Sequence, residues 1–386
     1  MLNQVAIASA VNQFSVQATE MNGAFLERKT EVSLLQIALI AEQPLVFLGL
    51  AGTGKSQIVN TFASTLEADD AKVGEIAFYQ YLLGKYTTPA EIFGIQSVKE
   101  LRENDRFVLN PAGKMPMARV AFLDEVFKAN SATLNSLLTI LNERQYDDGS
   151  GVRKNANVEL VVGASNEMPE EGEGLEALWD RFVIRHTVED IQRDDSFISL
   201  LTGEGIGQVS CKVSRSSVLT LRELRDQVDI TNIIPALMDL RQAMAEAGIR
   251  VSGRKWVKAV KVIKSWSALK GRSIAKVADI GVLSAVLWDQ PDQVDAIRTM
   301  LSKFASDDVK KAMSLADSAR EVLETLKRRG ADVKLQEIGQ AKRTIQAVLS
   351  ELANLDQTEE AVSEATEIVS EMKSEISRLT IAIARG

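Results

Sequence analysis

Residues 44–66 read PLVFLGLAGTGKSQIVNTFASTL. A short apolar run, Leu45 to Leu48, ends at Gly49, and a glycine-rich turn is followed by a helical pattern from Lys55. Apolar runs this short, closed by a turn signal, read as buried strands. The turn fits G-x-x-x-x-G-K-[ST] in full, with a strand before it and a helix after it. Its glycines let backbone N–H groups turn inward and approach phosphate oxygens closely. The helix N-terminus adds partial positive charge at the same point. The nucleotide-binding candidates are therefore Gly49, Leu50, Ala51, Gly52, Thr53, Gly54, Lys55, Ser56 and Gln57. In this pattern Lys55 reaches the β- and γ-phosphates and the Ser56 hydroxyl ligates Mg²⁺.

Two further strand ends carry matching chemistry. ARVAFLDE (118–125) is a buried strand closing on Asp124 and Glu125. A water-coordinated Mg²⁺ needs a nearby carboxylate, and Asp124 suits that role. Hydrolysis needs a group that orients or deprotonates the attacking water, and Glu125 is the candidate. Adjacent strand residues point to opposite faces, so twist or the end of the strand must bring both acids to one place. VVGASNE (161–167) ends another apolar run at Asn166, which would hydrogen-bond the water or the γ-phosphate. An Asn in a turn before Pro169 is the plainer alternative.

Strand and helix patterns alternate through about residue 195, so residues 1–195 read as an α/β layer structure with a mainly parallel sheet. Two helices open the chain, EIAFYQYLL (75–83) is a second strand and RFVIRHTV (181–188) a last one. SATLNSLLTILNER (131–144) is helical with Ser131 as N-cap. Asp-Gly and Ser-Gly signals within 144–165 predict a hairpin. Residues 196–304 read as an all-α domain, and 305–386 as helices with heptad spacing. The seams are Leu315, Ala319, Val322, Leu326; then Ile338, Ala341, Ile345, Val348, Leu352, Leu355; then Val362, Ala365, Val369, Met372, Ile376, Leu379, Ile383. A turn at LDQTEE (355–360) accounts for a shift in step order, and the expectation is a helical hairpin or three-helix bundle.

Composition narrows the class. The chain has 386 residues, 45% apolar and 25% charged, with a net charge of −8. The acidic balance argues against a dedicated nucleic-acid binder, although Lys85, Lys99, Arg102, Arg106 and Lys114 make 85–114 locally basic. One cysteine, Cys211, rules out an intramolecular disulfide framework and fits a reducing compartment. One histidine, His186, rules out a multi-histidine metal site. No apolar run approaches a membrane span and the N-terminus lacks signal-peptide features, so the expected location is the cytoplasm.

In this order and spacing, the phosphate loop with FLDE, ASN and DRF resembles the AAA+ ATPases. LLGKYTTPAEIFG (82–94), FLDEVFKANSATLNSLLTILNERQ (122–145), ASNEMPEEGEGLEALWDRFVIR (164–185) and VSGRKWVKAVKVIK (251–264) are similar to the MoxR branch, and within it to the RavA-like proteins. The resemblance spans about residues 20–300. It implies an α/β AAA+ core, an all-α lid, ATP with Mg²⁺ as the bound group, and ATP hydrolysis in a homo-oligomeric ring, usually of six subunits. Asn166 is then the first sensor. Arg181 in DRF is the arginine finger reaching the neighbouring subunit's γ-phosphate, with Arg185 as its competitor. Arg254, with Ser252 as N-cap, is the second sensor and contacts its own subunit's nucleotide. The hairpin at 145–158 and residues 95–117 are similar to two insertions that face the pore or ring surface. A partner bearing a von Willebrand factor A domain is implied as well. The chain departs from the pattern at Gly253, where relatives carry Pro, and at Leu50-Ala51, where a Pro-Pro pair is common. It also lacks a strand-rich stretch in its C-terminal helices, which RavA-type proteins carry. A nucleotide-switched scaffold with slow turnover and a nucleic-acid-associated motor are the alternative functions.

Overall fold

The computed structural model describes residues 3–67, 74–169, 175–203, 205–305, 307–329, 335–355 and, in the final segment, 362, 365, 366, 368–370 and 372–377. Two compact units divide the chain, Met1–Ile297 and Arg298–Gly386.

In the first unit, helices α1 (Gln4–Ala24) and α2 (Lys29–Ala41) precede a parallel sheet of β1 (Leu45–Leu48), β2 (Ile76–Leu82), β5 (Ala118–Asp124), β8 (Leu160–Ser165) and β9 (Ile184–Thr187). The spatial order is β2-β5-β8-β1-β9. All of β1 and β8 is buried, as is β5 up to Leu123. That is why these strands read as unbroken apolar runs rather than as alternation: both sheet faces are covered. Edge strand β2 does alternate in exposure. Because the strands are parallel, the exits of β1, β5 and β8 lie along one edge, where open α/β sheets bind ligands.

Helix α3 (Lys55–Ser64) follows β1. Between β2 and β5 come α4 (Pro89–Phe93) and an antiparallel ribbon of β3 (Ile95–Gln96) and β4 (Leu109–Asn110), with α5 (Val98–Asn104) between them. Helix α6 (Ser131–Glu143) begins one residue earlier than a Ser131 cap implies. The N-cap is Asn130, whose side chain accepts from the Thr133 N–H at 3.0 Å, and not Ser131. Asn130 also donates to the Thr87 and Lys85 carbonyls, so its amide satisfies two loops, which a serine hydroxyl could not do. The predicted hairpin forms as β6 (Gln145–Asp147) and β7 (Arg153–Asn155). The last strand is shorter than its apolar pattern: residues 181–183 complete the turn after α7 (Glu176–Trp179), with the Arg181 and Phe182 N–H groups donating to the Leu178 carbonyl.

After α8 (Asp194–Thr202) come α9 (Arg215–Gln227), α10 (Ile234–Glu246) and α11 (Gly253–Leu269), then a 3₁₀ segment (Val277–Ala285) and α12 (Val294–Ser302). Helix α9 packs on α1, and α11 on α2 and α9. Ser252 caps α11, its hydroxyl accepting from the Lys255 N–H.

The second unit is held by one apolar core drawn from α13 (Asp307–Arg329), α14 (Leu335–Leu352) and the helical residues after 362. The second and third expected seams are buried as far as they are described, with Leu355 partly buried; Leu379, Ile383 and residues 356–360 lie outside the described residues. The first seam needs correction. The buried stripe of α13 is Val309, Ala312, Ala316, Ala319, Leu323 and Leu326, while Leu315 and Val322 only flank it. Small alanines occupy the centre, where three helices crowd together, and the bulkier residues fill the sides.

Candidate active site

The phosphate loop is built by its own backbone. Gly49 has φ +146°, and a Cβ there would lie 2.3 Å from the Val188 carbonyl oxygen, so only glycine fits. Gly52 and Gly54 are left-handed, and Gly54 opens α3 without a side-chain cap, leaving the first-turn N–H groups of the helix to the loop. Thr53 is buried, Ser56 and Gly54 are half-buried, and Leu50, Ala51, Gly52 and Gln57 are exposed. Lys55 is buried, and its Nζ donates to the Gly49 and Leu50 carbonyls at 2.6 and 2.7 Å. Burial lowers its pKa, partly offset by Asp124, Glu125 and Asp190. The lysine thus lies in the field of the acids at the neighbouring strand end.

The problem of two adjacent acids is solved by the backbone. Strand β5 ends at Asp124, and Glu125 takes the left-handed conformation, φ +51°. Non-glycine residues in this region are strained and cluster at functional sites. The Glu125 N–H donates to Asp124 Oδ1 at 3.0 Å, which fixes the aspartate. Asn166 leaves β8, and β8 lies between β1 and β5. Its Nδ2 donates to Glu125 Oε1 at 2.6 Å. The bend after β8 thus brings the Asn166 amide onto the acid.

Mg²⁺ suits this donor set. It takes few protein ligands and keeps waters and phosphate oxygens. Ser56, in the first turn of α3, and Asp124 supply one hydroxyl and one carboxylate. Among the described residues there is no group of three or more His, Cys, Asp or Glu that would make an all-protein metal cage.

Arg181 meets its neighbour in the chain, Asp180. Its Nη1 is 3.3 Å from Asp180 Oδ2, and its Nε is buried without a hydrogen-bond partner among the described residues. Arg254 is exposed at the start of α11. Burial, together with the charges of Arg181, Arg254 and Arg185, lowers the pKa of Lys258 against the pull of Asp180. Arg181, Arg254 and Lys258 therefore share one basic neighbourhood, whereas the charges felt by Lys55 are acids.

Arg185, the competitor, is 1% exposed and fully used. It donates to the Phe182, Trp179 and Trp288 carbonyls, stacks over the Trp179 ring at 4.2 Å, and pairs with Asp289 at 2.5 Å. The same Asp289 Oδ1 accepts from buried Lys255 at 2.7 Å. This knot ties α7, just before Arg181, to α11, just after Arg254. Asp289→Ala should leave two buried cations sharing no carboxylate. We expect a loss of about 2–3 kcal/mol, below the usual value for an enclosed pair because Asp289 is itself half exposed. Urea unfolding checks it, and adding Lys255→Met should recover part of the loss.

The pH dependence has a definite sign. Burial, with Arg185 next, lowers the Lys255 pKa to about 8, below its ordinary 10.5. The unfolded chain then binds more protons between those values, so this group's destabilising effect is full below pH 8 and fades as pH rises toward 10.5. The Lys255→Met variant should lose that rise.

Sequence reasoning missed several groups. Arg28 is buried and donates to the Thr53 and Glu189 carbonyls, bracing the phosphate loop from 25 residues away. Lys128 and Glu167 join the Glu125 cluster. None belongs to a local motif; only the fold brings them in. Cys211 is half-buried, with its thiol pushed up to about 11 by burial first and Glu20 next, which makes it an inert thiol. His186 lies 3.5 Å from Glu31, away from the chemistry.

Comparison with known proteins agrees with this geometry. Residues 12–226 match the family described as the MoxR domain in the MoxR-vWA-beta-propeller ternary systems, and residues 232–301 match an AAA lid domain. Two uncharacterized proteins of Methanocaldococcus jannaschii are 34% and 36% identical; the first alignment covers 87% of this chain and 85% of that protein, the second 80% and 79%. A solved structure of a candidate ATPase from Cytophaga hutchinsonii shares the fold, with a TM-score of 0.60 at 18% identity over 78% of this chain and 95% of that one. No helix among the described residues is long and apolar enough to cross a membrane. With more than half its length matched by the first of these families, the chain belongs to the MoxR-type AAA+ ATPases.

Proposed function

We propose that this chain hydrolyses ATP with Mg²⁺ as one subunit of a ring, in the manner of a machine that remodels or loads a partner protein. The observation that carries this reading is the 2.6 Å contact of Asn166 with Glu125, beside Asp124 and in range of Lys55. In it, Lys55 holds the β- and γ-phosphates. Ser56 and Asp124 hold Mg²⁺, which supplies charge neutralisation on the phosphates. Glu125 takes the proton of the attacking water, and Asn166 orients the acid and the water. We assign residues 1–195 to the core, 196–304 to the lid and 305–386 to a helical appendage.

Arg181 serves the neighbouring subunit's nucleotide. We assign Arg254, at the start of α11, to its own subunit's nucleotide as the second sensor. The family description supports a partner with a von Willebrand factor A domain. The test is to image the protein with Mg²⁺ and a slowly hydrolysed ATP analogue, with phosphate release measured in parallel. The expected result is a closed assembly, six subunits in the simplest case, with Arg181 at the adjoining γ-phosphate. A protein that binds ATP as a monomer and releases no phosphate overturns the reading. A slow-turnover scaffold is the second reading, favoured because Glu125 Oε1 accepts from Asn166 and Oε2 is enclosed 3.1 Å from Lys128 Nζ.

A further inference from the structure

We infer that Lys128 is a positioning residue that restrains Glu125, and that Glu167 is the competing carboxylate that draws Lys128 away. This rests on the hydrolysis reading above. Glu125 Oε1 accepts from Asn166 at 2.6 Å. Glu125 Oε2 is sealed from solvent and lies 3.1 Å from Lys128 Nζ. A general base must present a lone pair within about 2.6–3.2 Å of the water it deprotonates. Here Oε1 already accepts from Asn166, and Oε2 is enclosed without a hydrogen bond among the described residues behind the Lys128 ammonium, so a water reaches Oε2 only when Lys128 moves aside.

The local chain explains the arrangement. Left-handed Glu125 starts a 3₁₀ turn, Val126–Lys128, closed by the Lys128 N–H on the Glu125 carbonyl. That turn folds the lysine back over the acid. Glu167 follows Asn166 directly, and its Oε1 is 3.7 Å from the same Nζ. The Lys128 and Glu167 side chains are 45% and 61% exposed. The Lys128–Glu167 pair is exposed on both sides and worth only about 0.2–1 kcal/mol, whereas Glu125 is 15% exposed, so Glu167 modulates the restraint without replacing it. Glu167 therefore offers Lys128 a second carboxylate while Asn166 keeps its contact with Glu125.

The experiment is steady-state ATP turnover of the full chain, with nucleotide affinity measured separately by a fluorescent ATP analogue. Lys128→Met should raise kcat about two- to fivefold with affinity little changed, the span an exposed pair allows. Lys128→Arg, which keeps the cation, should remain slower than Lys128→Met. Glu167→Gln should lower kcat, and that effect should vanish in the Lys128→Met background, because Glu167 acts only through Lys128. If wild-type turnover is normal and sensitive to Glu125→Gln, but Lys128→Met is no faster, the restraint alone is overturned. If wild type and Lys128→Met both bind ATP without turnover, the restraint and the hydrolysis reading fall together.

Discussion

Arg181→Ala should reduce ATP turnover by about 10³–10⁵, the range for an arginine that stabilises charge on a transferring phosphoryl group, while leaving nucleotide binding largely intact. Within its own chain the Arg181 guanidinium meets Asp180, and its Nε has no hydrogen-bond partner among the described residues. The loop that would hold its own phosphates is already supplied with Lys55. Under the proposed reading, this cation acts on another subunit's nucleotide. Mixing makes the claim sharp. Arg181→Ala subunits keep a whole pocket but lack the finger; Glu125→Gln subunits keep the finger but lack the base. Two inactive preparations should give a partly active mixture, with a maximum at an intermediate ratio. If no ratio restores phosphate release, the assignment across subunits is wrong. The same mixing with Arg254→Ala should give no rescue, because a second sensor serves its own subunit's nucleotide.

Glu125→Gln should cut kcat by about 10²–10⁴, the usual contribution of a positioned general base, with ATP still bound. The replacement is nearly isosteric, and its carbonyl oxygen still accepts from Asn166. Lys128 loses a charged partner but keeps Glu167 nearby. Folding should therefore be little changed, and the loss should fall on the chemical step. Trapped, ATP-loaded assemblies are the expected by-product. Normal turnover in this variant would remove Glu125 as the base and, with it, the reading of the β5 exit as a catalytic edge.

Much of this was legible in the chain. The buried strands announced themselves as continuous apolar runs because a parallel sheet is covered on both faces, and Gly49, Gly52 and Gly54 marked a loop no other residue could form. Ser252 was readable as a cap because helix N-termini need a side-chain acceptor close in sequence. The errors have a common source. Ser131 lost to Asn130 because the cap also had to satisfy the 85–87 loop, which lies more than 40 residues away. Leu315 and Val322 lost the central seam to alanines because a seam's membership depends on how closely two other helices approach.

The sequence by itself determined the strand–loop–helix of 44–66, the acids at the end of β5 and the glycines that shape the phosphate loop. These depend on residues adjacent in the chain and on one repeating geometry. Tertiary structure alone decided that β8 lies between β1 and β5, so that Asn166 meets Glu125, and that Arg185 is consumed by Asp289 and Trp179 while the Arg181 Nε keeps no hydrogen-bond partner among the described residues. It also decided that Lys128 faces Glu125. Those contacts join residues up to about a hundred positions apart, and their energies depend on burial and on which charges share a site. No local pattern encodes either quantity.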